Sequence, residues 1–273
     1  MHTKTLDFSS TSLASCYSGF YAKILDDVFT PTECAELVKL AASQIDGWKP
    51  AGLSTREEKQ TVHRNFRNSE RTLVIDEAVS QKIFDRLRPL VEEIAVIEPN
   101  EPWAGITGKA GRKQGPTWAL DSISTRLSFL RYGPGHYFKP HCDGLNESEN
   151  GSLKSFVTLH LYLTDETSIS EEDEFFTCSE TQTGTYNQSD TVYDGVTHSS
   201  IEPADEHDNP RQPLEGGTTR FWSPNKKEFL DVEPKIGRVL VFQQRMLIHS
   251  GEEVKSGMKY TMRGDFMFRE AKK

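Results

Sequence analysis

The sequence predicts a mainly β protein, a sandwich or barrel, that follows an N-terminal arm containing helices. Two segments of the arm carry apolar residues at the helical spacings of three and four, and after about residue 122 the apolar period changes to two. The alternating runs are short and are separated by glycine or proline, as in antiparallel sheets. A chain of 273 residues fits one integrated domain, with an arm over residues 1–120 and a core over residues 121–273.

The first helix is predicted over residues 31–44. Thr30 is a favourable N-cap, Pro31 fits the first helical position, and Leu37 and Leu40 continue an apolar stripe. A second helix is predicted over residues 76–95. Its apolar positions recur at helical spacing: Val79, Ile83, Leu87, Leu90 and Val91. Residues 45–75 are predicted as strands and loops, and the stretch 98–117, rich in glycine and proline, as a loop.

Five short runs in the second half are predicted as strands. They lie at residues 124–132, 155–164, 218–222, 238–243 and 258–268. An insert at 165–212 interrupts them, and within it residues 165–209 contain 13 acidic and no basic side chains. Because the insert has few apolar residues to bury, we expect it to lie on the surface of the core.

Charge and composition exclude several classes of protein. The formal net charge of −9 is concentrated in the insert, and no basic stripe indicates a nucleic-acid partner. No run approaches the ~20 apolar residues that a membrane helix needs. The four cysteines form no CxxC pair, so neither a zinc knuckle nor a disulfide framework is expected. We expect an intracellular, cytoplasmic protein, whereas its oligomeric state is not predicted.

Candidate metal ligands lie at both ends of the β region. His141 and Asp143 are two residues apart, so on an extended chain their side chains leave the same face. His249 lies near the end of the β region. Two imidazoles and one carboxylate form the facial triad of non-heme Fe(II) oxygenases. With eight histidines in the chain, such a pair also arises without a metal, and a hydrogen-bonded structural histidine is the alternative. Cys142 alternates away from the pair and is predicted to be buried.

A basic strand follows His249. Lys259, Thr261 and Arg263 share one face by alternation. If that face points inward, its positive charges need an anion, and a dicarboxylate cosubstrate would supply one. Otherwise both basic residues point to solvent or pair with Asp265. Composition alone does not determine which face is inside.

Several segments together resemble the prolyl 4-hydroxylase-like branch of the Fe(II)/2-oxoglutarate-dependent dioxygenases. Residues 130–137, which include Arg131-Tyr132, are similar to the lead into the family's His-x-Asp pair. Residues 156–163, 215–221 and 237–242 are similar to the strands that follow it, in the family's order. Segments in the right order are far more specific than any one of them. The helix at 31–44 and the segment around Arg64 and Asn68 resemble the N-terminal arm of this branch more loosely.

The resemblance implies a double-stranded β-helix, a jelly-roll or cupin-like barrel of the α+β, mainly β class, with N-terminal helices packed on it. It implies an oxidoreductase that uses Fe(II), 2-oxoglutarate and O2, with ascorbate as a reductant. Such an enzyme oxidises a C–H bond, usually by hydroxylation, and releases succinate and CO2.

The resemblance also implies roles for individual residues. His141, Asp143 and His249 would bind iron. Lys259, ten residues after His249, would hold the distal carboxylate of 2-oxoglutarate. The remaining cosubstrate candidates are Tyr132 and Tyr162, which would hydrogen-bond the cosubstrate or line its pocket, and Arg263, which could compete with Lys259 for the carboxylate or reach the substrate. Five further residues are candidates for substrate contacts, each with a purely structural role as the alternative: Arg126, which by alternation could point inward and bind a substrate carboxylate, His160, Arg64, Arg67 and Asn68.

The substrate class remains open at this stage. A small molecule or amino-acid-derived substrate is favoured over a peptide, because no peptide-binding platform is visible in the sequence. The alternatives are a peptidyl-prolyl 4-hydroxylase acting on a protein, a cupin-like metal enzyme without 2-oxoglutarate, and a non-catalytic barrel that serves as a binding module.

Overall fold

The computed structural model describes residues 2–54, 60–108, 115–168 and 212–271. Most of the acidic insert therefore lies outside the described residues. Within the described ranges, no helix combines the length and the apolar character needed to cross a membrane.

Short β-strands are the most common regular elements of the described chain. They are β1 (His2–Thr5), β2 (Ala22–Asp26), β3 (Lys49–Pro50), β4 (Leu53–Ser54), β5 (Gln60–Thr61), β6 (Arg67–Asn68), β7 (Glu70–Ile75), β8 (Val96–Ile97), β9 (Trp118–Ile123), β10 (Arg126–Tyr132), β11 (Tyr137–His141), β12 (Leu153–Tyr162), β13 (Glu215–Gly216), β14 (Thr219–Trp222), β15 (Phe229–Val232), β16 (Val239–Gln243), β17 (His249–Gly251), β18 (Val254–Ser256) and β19 (Lys259–Glu270). The α-helices are α1 (Ala14–Tyr17), α2 (Pro31–Ala42) and α3 (Glu77–Leu87).

Two sheets account for most strands. The larger has ten strands and runs in the order β1-β2-β16-β12-β19-β10-β7-β3, with β9 also paired to β19 and β8 to β9. The smaller runs β15-β14-β17-β11-β6. Two antiparallel sheets with few helices confirm the jelly-roll fold class that the sequence predicted.

The N-terminal arm supplies both edges of the large sheet. Strands β1 and β2 extend it beyond β16, and β7 and β3 extend it beyond β10. The expected boundary at residue 120 falls inside β9. The strands of the arm and of the core thus share one hydrogen-bonded sheet.

Helices α2 and α3 cover the outer face of the large sheet. Val38 of α2 and Phe84 of α3 belong to one buried cluster with Met262, Phe266 and Phe268 of β19. These three β19 residues have the parity opposite to that of Lys259 and Arg263. The inner face of β19 is therefore the one that carries the basic residues.

The first predicted helix is confirmed and the second is shorter than predicted. Thr30 forms a capping box with Glu33 at the start of α2. Helix α3 ends at Leu87, and two 3-10 turns replace the rest of the predicted 76–95 segment. Pro89 has no N–H to donate, so the α-helical hydrogen-bond pattern cannot continue through it.

All five predicted runs contain a strand, with bounds shifted by a few residues. Strands β7, β9, β11, β15 and β17 lie outside those runs. Strand β17 has only three residues and β15 only four, too few for a period of two to stand out.

Candidate metal centre and its cavity

A cavity of about 440 Å³ lies between the two sheets. Both sheets contribute to its lining: Tyr132, Thr158, His160, Lys259 and Arg263 come from the large sheet, and His141, Thr219 and His249 from the small one. The predicted metal ligands and the predicted cosubstrate lysine therefore line one space.

The three predicted metal ligands converge in this cavity. One possible ligand atom from each of His141, Asp143 and His249 lies within 4.8 Å of the other two. His141 ends β11 and pairs across the sheet with His249, the first residue of β17. The Nε2 atoms of His141 and His249 each lie 3.8 Å from a carboxylate oxygen of Asp143. The common face predicted for His141 and Asp143 is present.

Both imidazoles are oriented by their other ring nitrogen. Nδ1 of His141 lies 2.8 Å from the carbonyl oxygen of Lys139, and Nδ1 of His249 lies 3.2 Å from that of Leu247. An Nδ1–H that donates to a carbonyl leaves the lone pair of Nε2 available for a metal. Burial, reinforced by the charge of His249, lowers the pKa of His141 to about 3. Burial also lowers the pKa of His249, so both rings are neutral, as metal ligands must be.

The carboxylate of Asp143 is held in its ionised form. Burial by itself would raise its pKa, but Arg263 and the two imidazoles bring the pKa below the usual value. Thr158 Oγ1 donates to Asp143 Oδ2 at 2.6 Å, and Arg263 Nε lies 3.3 Å from the same oxygen. Two neutral imidazoles and an ionised carboxylate suit a divalent iron ion.

Lys259 places a positive charge in the same cavity, and no described carboxylate forms an ion pair with it. Its side chain is buried, with 2% of the residue exposed, and its ammonium group donates to the carbonyl oxygen of Gly217. Nζ also lies 5.3 Å from the ring centre of Tyr132 and 5.6 Å from that of Tyr162. Burial lowers the pKa of Lys259 to about 7. An ammonium group in this position gains most from an anionic ligand.

Two buried polar atoms on β19 and on the neighbouring β12 have no hydrogen-bond partner in the described residues. Thr261, two residues beyond Lys259, is fully buried, and its Oγ1 has no partner in the described residues. The Nε2 atom of His160 is likewise buried without a partner there. Buried polar atoms without partners are uncommon, so these atoms fit a polar ligand such as 2-oxoglutarate.

The two candidate tyrosines differ in position. Tyr132 lines the cavity. Tyr162 is fully buried beside Lys259 and lies outside the described lining, and its hydroxyl donates to Thr219 Oγ1 at 2.6 Å. In this structure Tyr162 packs against the lysine and donates to Thr219, and the role toward the cosubstrate that the resemblance implied for it stays a prediction.

Arg263 contacts two carboxylates. Its Nε lies 3.3 Å from Asp143 Oδ2, and its Nη2 lies 3.0 Å from Asp265 Oδ1. Burial opposes its charged form, but these two carboxylates raise its pKa. Asn146 and Gln244 donate to the oxygens of Asp265 at 2.6 Å and 2.7 Å. The pairing with Asp265 that the sequence left open is present, together with a pairing to Asp143.

The substrate candidates are only partly brought together. His160 lines the cavity. Arg126 is exposed and lines a neighbouring cavity of about 600 Å³ instead. Arg64 is exposed, and Asn68 donates to the carbonyl of Gly135 at 3.4 Å, with neither in the lining of the metal cavity. Arg126 is the first residue of β10, Arg64 lies in the turn before β6, and Asn68 is the neighbour of Arg67, which does line the cavity.

Two arginines line the cavity: Arg67, which the sequence analysis considered as a substrate contact, and Arg71, which it did not select. Arg67 is the neighbour of Asn68 on β6, and Arg71 faces Leu130 of β10. Alternation within a two-residue strand could not have indicated which of Arg67 and Asn68 points inward.

Cys142, predicted to be buried, is exposed.

The family model of the 2OG-Fe(II) oxygenase superfamily matches residues 127–266. This range contains the three converging ligands and Lys259. The chain belongs to the 2OG-Fe(II) oxygenase superfamily. It is therefore a 2-oxoglutarate-dependent dioxygenase that uses Fe(II), 2-oxoglutarate and O2. Membership favours this activity over a cupin-like enzyme without 2-oxoglutarate and over a non-catalytic module.

Solved structures of similar fold include several prolyl hydroxylases. A prolyl-4-hydroxylase from Pseudomonas putida is 14% identical, with 95% of each chain covered and a TM-score of 0.50. A viral collagen prolyl hydroxylase from Paramecium bursaria Chlorella virus-1 is 18% identical over 93% of this chain and 99% of that one, with a TM-score of 0.45. A Trichoplax adhaerens prolyl hydroxylase is 12% identical over 91% and 83%, with a TM-score of 0.47.

The Pseudomonas putida structure supports the fold of this superfamily for nearly the whole chain, including the arm. No curated protein matches the sequence significantly.

Proposed function

We propose that this dioxygenase hydroxylates a C–H bond of a small or amino-acid-derived molecule, with Fe(II) held by His141, Asp143 and His249. The convergence of these three side chains within 4.8 Å, on the wall of a cavity that also holds buried Lys259, carries the proposal. When bound with 2-oxoglutarate and O2, Fe(II) supplies the oxidising chemistry, and succinate and CO2 are released.

Lys259 is the proposed anchor of the distal carboxylate of 2-oxoglutarate. Its ammonium group is buried among Tyr132, Tyr162 and the carbonyl of Gly217, and described carboxylates make no ion pair with it. The unpartnered hydroxyl of Thr261 supplies a second donor on the same face. Arg263 is less suited to this role because it already pairs with Asp143 and Asp265.

The other residues of the cavity position these groups. Lys139 and Leu247 orient the two imidazoles through their carbonyl oxygens. Thr158 and Arg263 hold Asp143 in one orientation and keep it ionised. His160 stays neutral because burial lowers its pKa, and it offers a hydrogen-bonding nitrogen to the cosubstrate or the substrate.

The size of the cavity supports a small substrate. About 440 Å³ lies within the range of ~300–1,000 Å³ that small-molecule sites occupy. A peptidyl-proline substrate is the alternative, since the similar Pseudomonas putida protein is a prolyl-4-hydroxylase by name.

Succinate release tests the proposal. The purified protein is incubated with Fe(II), O2 and 2-oxoglutarate, with and without ascorbate, against single omissions of Fe(II) and of 2-oxoglutarate. Candidate compounds are then ranked by succinate formed above the uncoupled background, with free amino acids and their derivatives set against proline-containing peptides. We expect succinate only when both Fe(II) and 2-oxoglutarate are present, and stimulation by the small compounds. Stimulation by the peptides alone would favour the prolyl hydroxylase alternative.

A further inference from the structure

Positive side chains outnumber negative ones in the metal cavity. Among the described residues of its lining, Arg67, Arg71, Lys259 and Arg263 are cationic and Asp143 is the one carboxylate. A divalent metal and a dianionic 2-oxoglutarate cancel each other's charge. Even with Arg71 left out of the count and the Asp265 partner of Arg263 included, a positive excess persists among the described residues after both have bound, and it favours a further anion.

Arg67 lies one aromatic ring away from the metal ligands. It is buried, with 8% of the residue exposed, and its Nε donates to Ser69 Oγ at 3.0 Å. Its guanidinium carbon lies 4.4 Å from the ring centre of Phe138, and that ring stacks on His141 at 3.6 Å. In the described ranges Arg67 makes no ion pair with a carboxylate. The Phe138 ring thus separates the guanidinium group from His141.

Arg71 comes from the opposite sheet. It lies across from Leu130, which on its other side lies across from Thr261, so the three share a row on the inner face. Burial and the positive charges of nearby arginines lower the pKa of Arg71 to about 10. The first of these arginines is Arg67, which shows that the two guanidinium groups repel each other. A carboxylate or phosphate placed between the two guanidinium groups would reduce this repulsion.

Arg71 also lies where two cavities meet. Together with Ser128 and Arg263 it lines both the metal cavity and the neighbouring cavity of about 600 Å³. A substrate that extends from the metal ligands toward the neighbouring cavity would pass Arg71. Guanidinium groups bind carboxylates and phosphates through paired hydrogen bonds.

We propose that Arg67 and Arg71 form an anion-binding subsite and that the substrate is an organic anion whose carboxylate or phosphate group docks there. This inference rests on the proposed function, since it assigns the substrate class of the same cavity. It is separate from the cosubstrate site, which is centred on Lys259. We therefore assign the binding of a substrate carboxylate to Arg67 and Arg71. The sequence analysis had considered Arg126 for this role.

Equilibrium binding tests the subsite without knowledge of the natural substrate. The protein is loaded with redox-inert Mn(II) and saturating 2-oxoglutarate, so that Lys259 is occupied. Calorimetric titrations at low ionic strength then use three probes: N-acetylproline, its neutral amide N-acetylprolinamide, and inorganic phosphate. We expect the amide to bind at least about tenfold more weakly than the acid, and phosphate to bind at the same subsite as the acid.

Variants assign the binding to the two arginines. We expect R67Q and R71Q each to weaken binding of the acid and of phosphate by about tenfold or more, while the Kd for 2-oxoglutarate changes by less than about twofold. Arg88→Gln is the matched control, because Arg88 is exposed and lies outside the described lining of both cavities. If a glutamine variant loses 2-oxoglutarate binding, R67K and R71K replace it, since lysine keeps the charge but not the paired hydrogen bonds.

The outcomes distinguish this inference from the proposed function. Three results would each overturn the anion subsite. The acid and the amide could bind equally well, or neither the acid nor phosphate could bind. The third result is that the arginine variants bind the acid and phosphate as the wild type does. The dependence of succinate release on Fe(II) and 2-oxoglutarate would stand in all three cases. A wild-type protein that released no succinate with both present would instead overturn the proposed function. Binding of phosphate that R67Q and R71Q weaken, without binding of the acid, would support a phosphate-bearing substrate.

Discussion

Arg263 and Asp143 form a half-buried ion pair in which Arg263 Nε lies 3.3 Å from Asp143 Oδ2. Asp143 is the proposed carboxylate ligand of the metal, so Arg263 would act on a bound metal through that ligand. Its second partner is Asp265, at 3.0 Å. Lys259, the other cation predicted to bind the cosubstrate, lies among two tyrosine rings and a backbone carbonyl. The structure therefore separates two basic residues that share one face of β19.

We expect Lys259→Ala to raise the KM for 2-oxoglutarate more than Arg263→Ala does. Removing Lys259 leaves the distal carboxylate without its cation, which we expect to raise KM by about tenfold or more. Removing Arg263 leaves Asp143 and Asp265 without their cation, and we expect this to lower the free energy of unfolding by less than the ~3–5 kcal/mol that breaking a fully buried pair costs. Initial rates of succinate release give KM, and urea denaturation gives the stability. The reverse ranking of KM values would assign the carboxylate to Arg263.

Replacing a predicted metal ligand should abolish turnover while the fold remains. We expect His141→Ala and Asp143→Ala to lose bound iron and succinate formation, because two of the three convergent donors do not complete the site. Iron content and succinate are measured on protein whose circular dichroism matches the wild type. His63→Ala is the control, since His63 is exposed and lies outside the described lining. Turnover retained in either ligand variant would remove the metal-site assignment.

The affinity for 2-oxoglutarate should fall as the pH rises through neutrality. The pKa of Lys259 is lowered to about 7 in the free protein, so above that pH its ammonium group is increasingly neutral while the cosubstrate stays anionic. We expect KM for 2-oxoglutarate to rise between about pH 7 and about pH 9, and less so in Lys259→Arg, whose guanidinium group stays charged. Parallel profiles for the two proteins would show that Lys259 does not titrate with binding.

The lowered pKa of Lys259 also predicts how the free energy of unfolding depends on pH. Its pKa is lower in the folded protein, about 7, than its ordinary value of 10.5. Between these two values the unfolded chain binds a proton that the folded chain lacks, so this group's contribution to the free energy of unfolding increases as the pH rises. Urea denaturation across this window, compared between wild type and Lys259→Met, measures the contribution. A difference between the two proteins that does not vary with pH would contradict the lowered pKa.

The start of the acidic insert belongs to the folded core. Asp165 is 7% exposed, and its Oδ2 accepts a hydrogen bond from the backbone N–H of Ile236 at 3.0 Å. We expect Asp165→Ala to lower the free energy of unfolding by about 1–3 kcal/mol, because it leaves a buried N–H without a partner. Glu166→Ala is the control, since Glu166 is exposed. Equal stability of the two variants would show that the Asp165 contact contributes little.

A Gly/Ser linker in place of the insert should therefore begin after Ser168 and rejoin the chain at Gln212. We expect that shortened protein to keep its Tm and its iron binding, because loop-closure entropy changes slowly with length. A linker from Thr164 to Glu215 would also remove Asp165 and buried Leu214 and should lower the Tm. If the insert covers the active site or docks the substrate, coupled oxidation falls in the shortened protein while uncoupled turnover persists. Loss of iron binding after the Ser168–Gln212 replacement would show that the segment is structural.

Features of this protein that depend on near neighbours in the chain could be predicted from the sequence. The capping box at Thr30, the common face of His141 and Asp143, and the spacing of Lys259 from His249 each involve residues close together along the chain. Helical and strand periods are local properties of the backbone, which explains why they were predictable.

The tertiary structure decided which side chains share the cavity. It determined that Lys259 and Arg263 face inward, because the helices of the arm cover the apolar face of β19. It paired Arg263 with Asp143, 120 residues away in the chain, and it placed Arg67 and Arg71, carried by different sheets, in one lining. These contacts arise where strands distant in sequence meet across two sheets. Local periodicity does not indicate which distant strands come together, because this depends on strand order and on how the sheets pack.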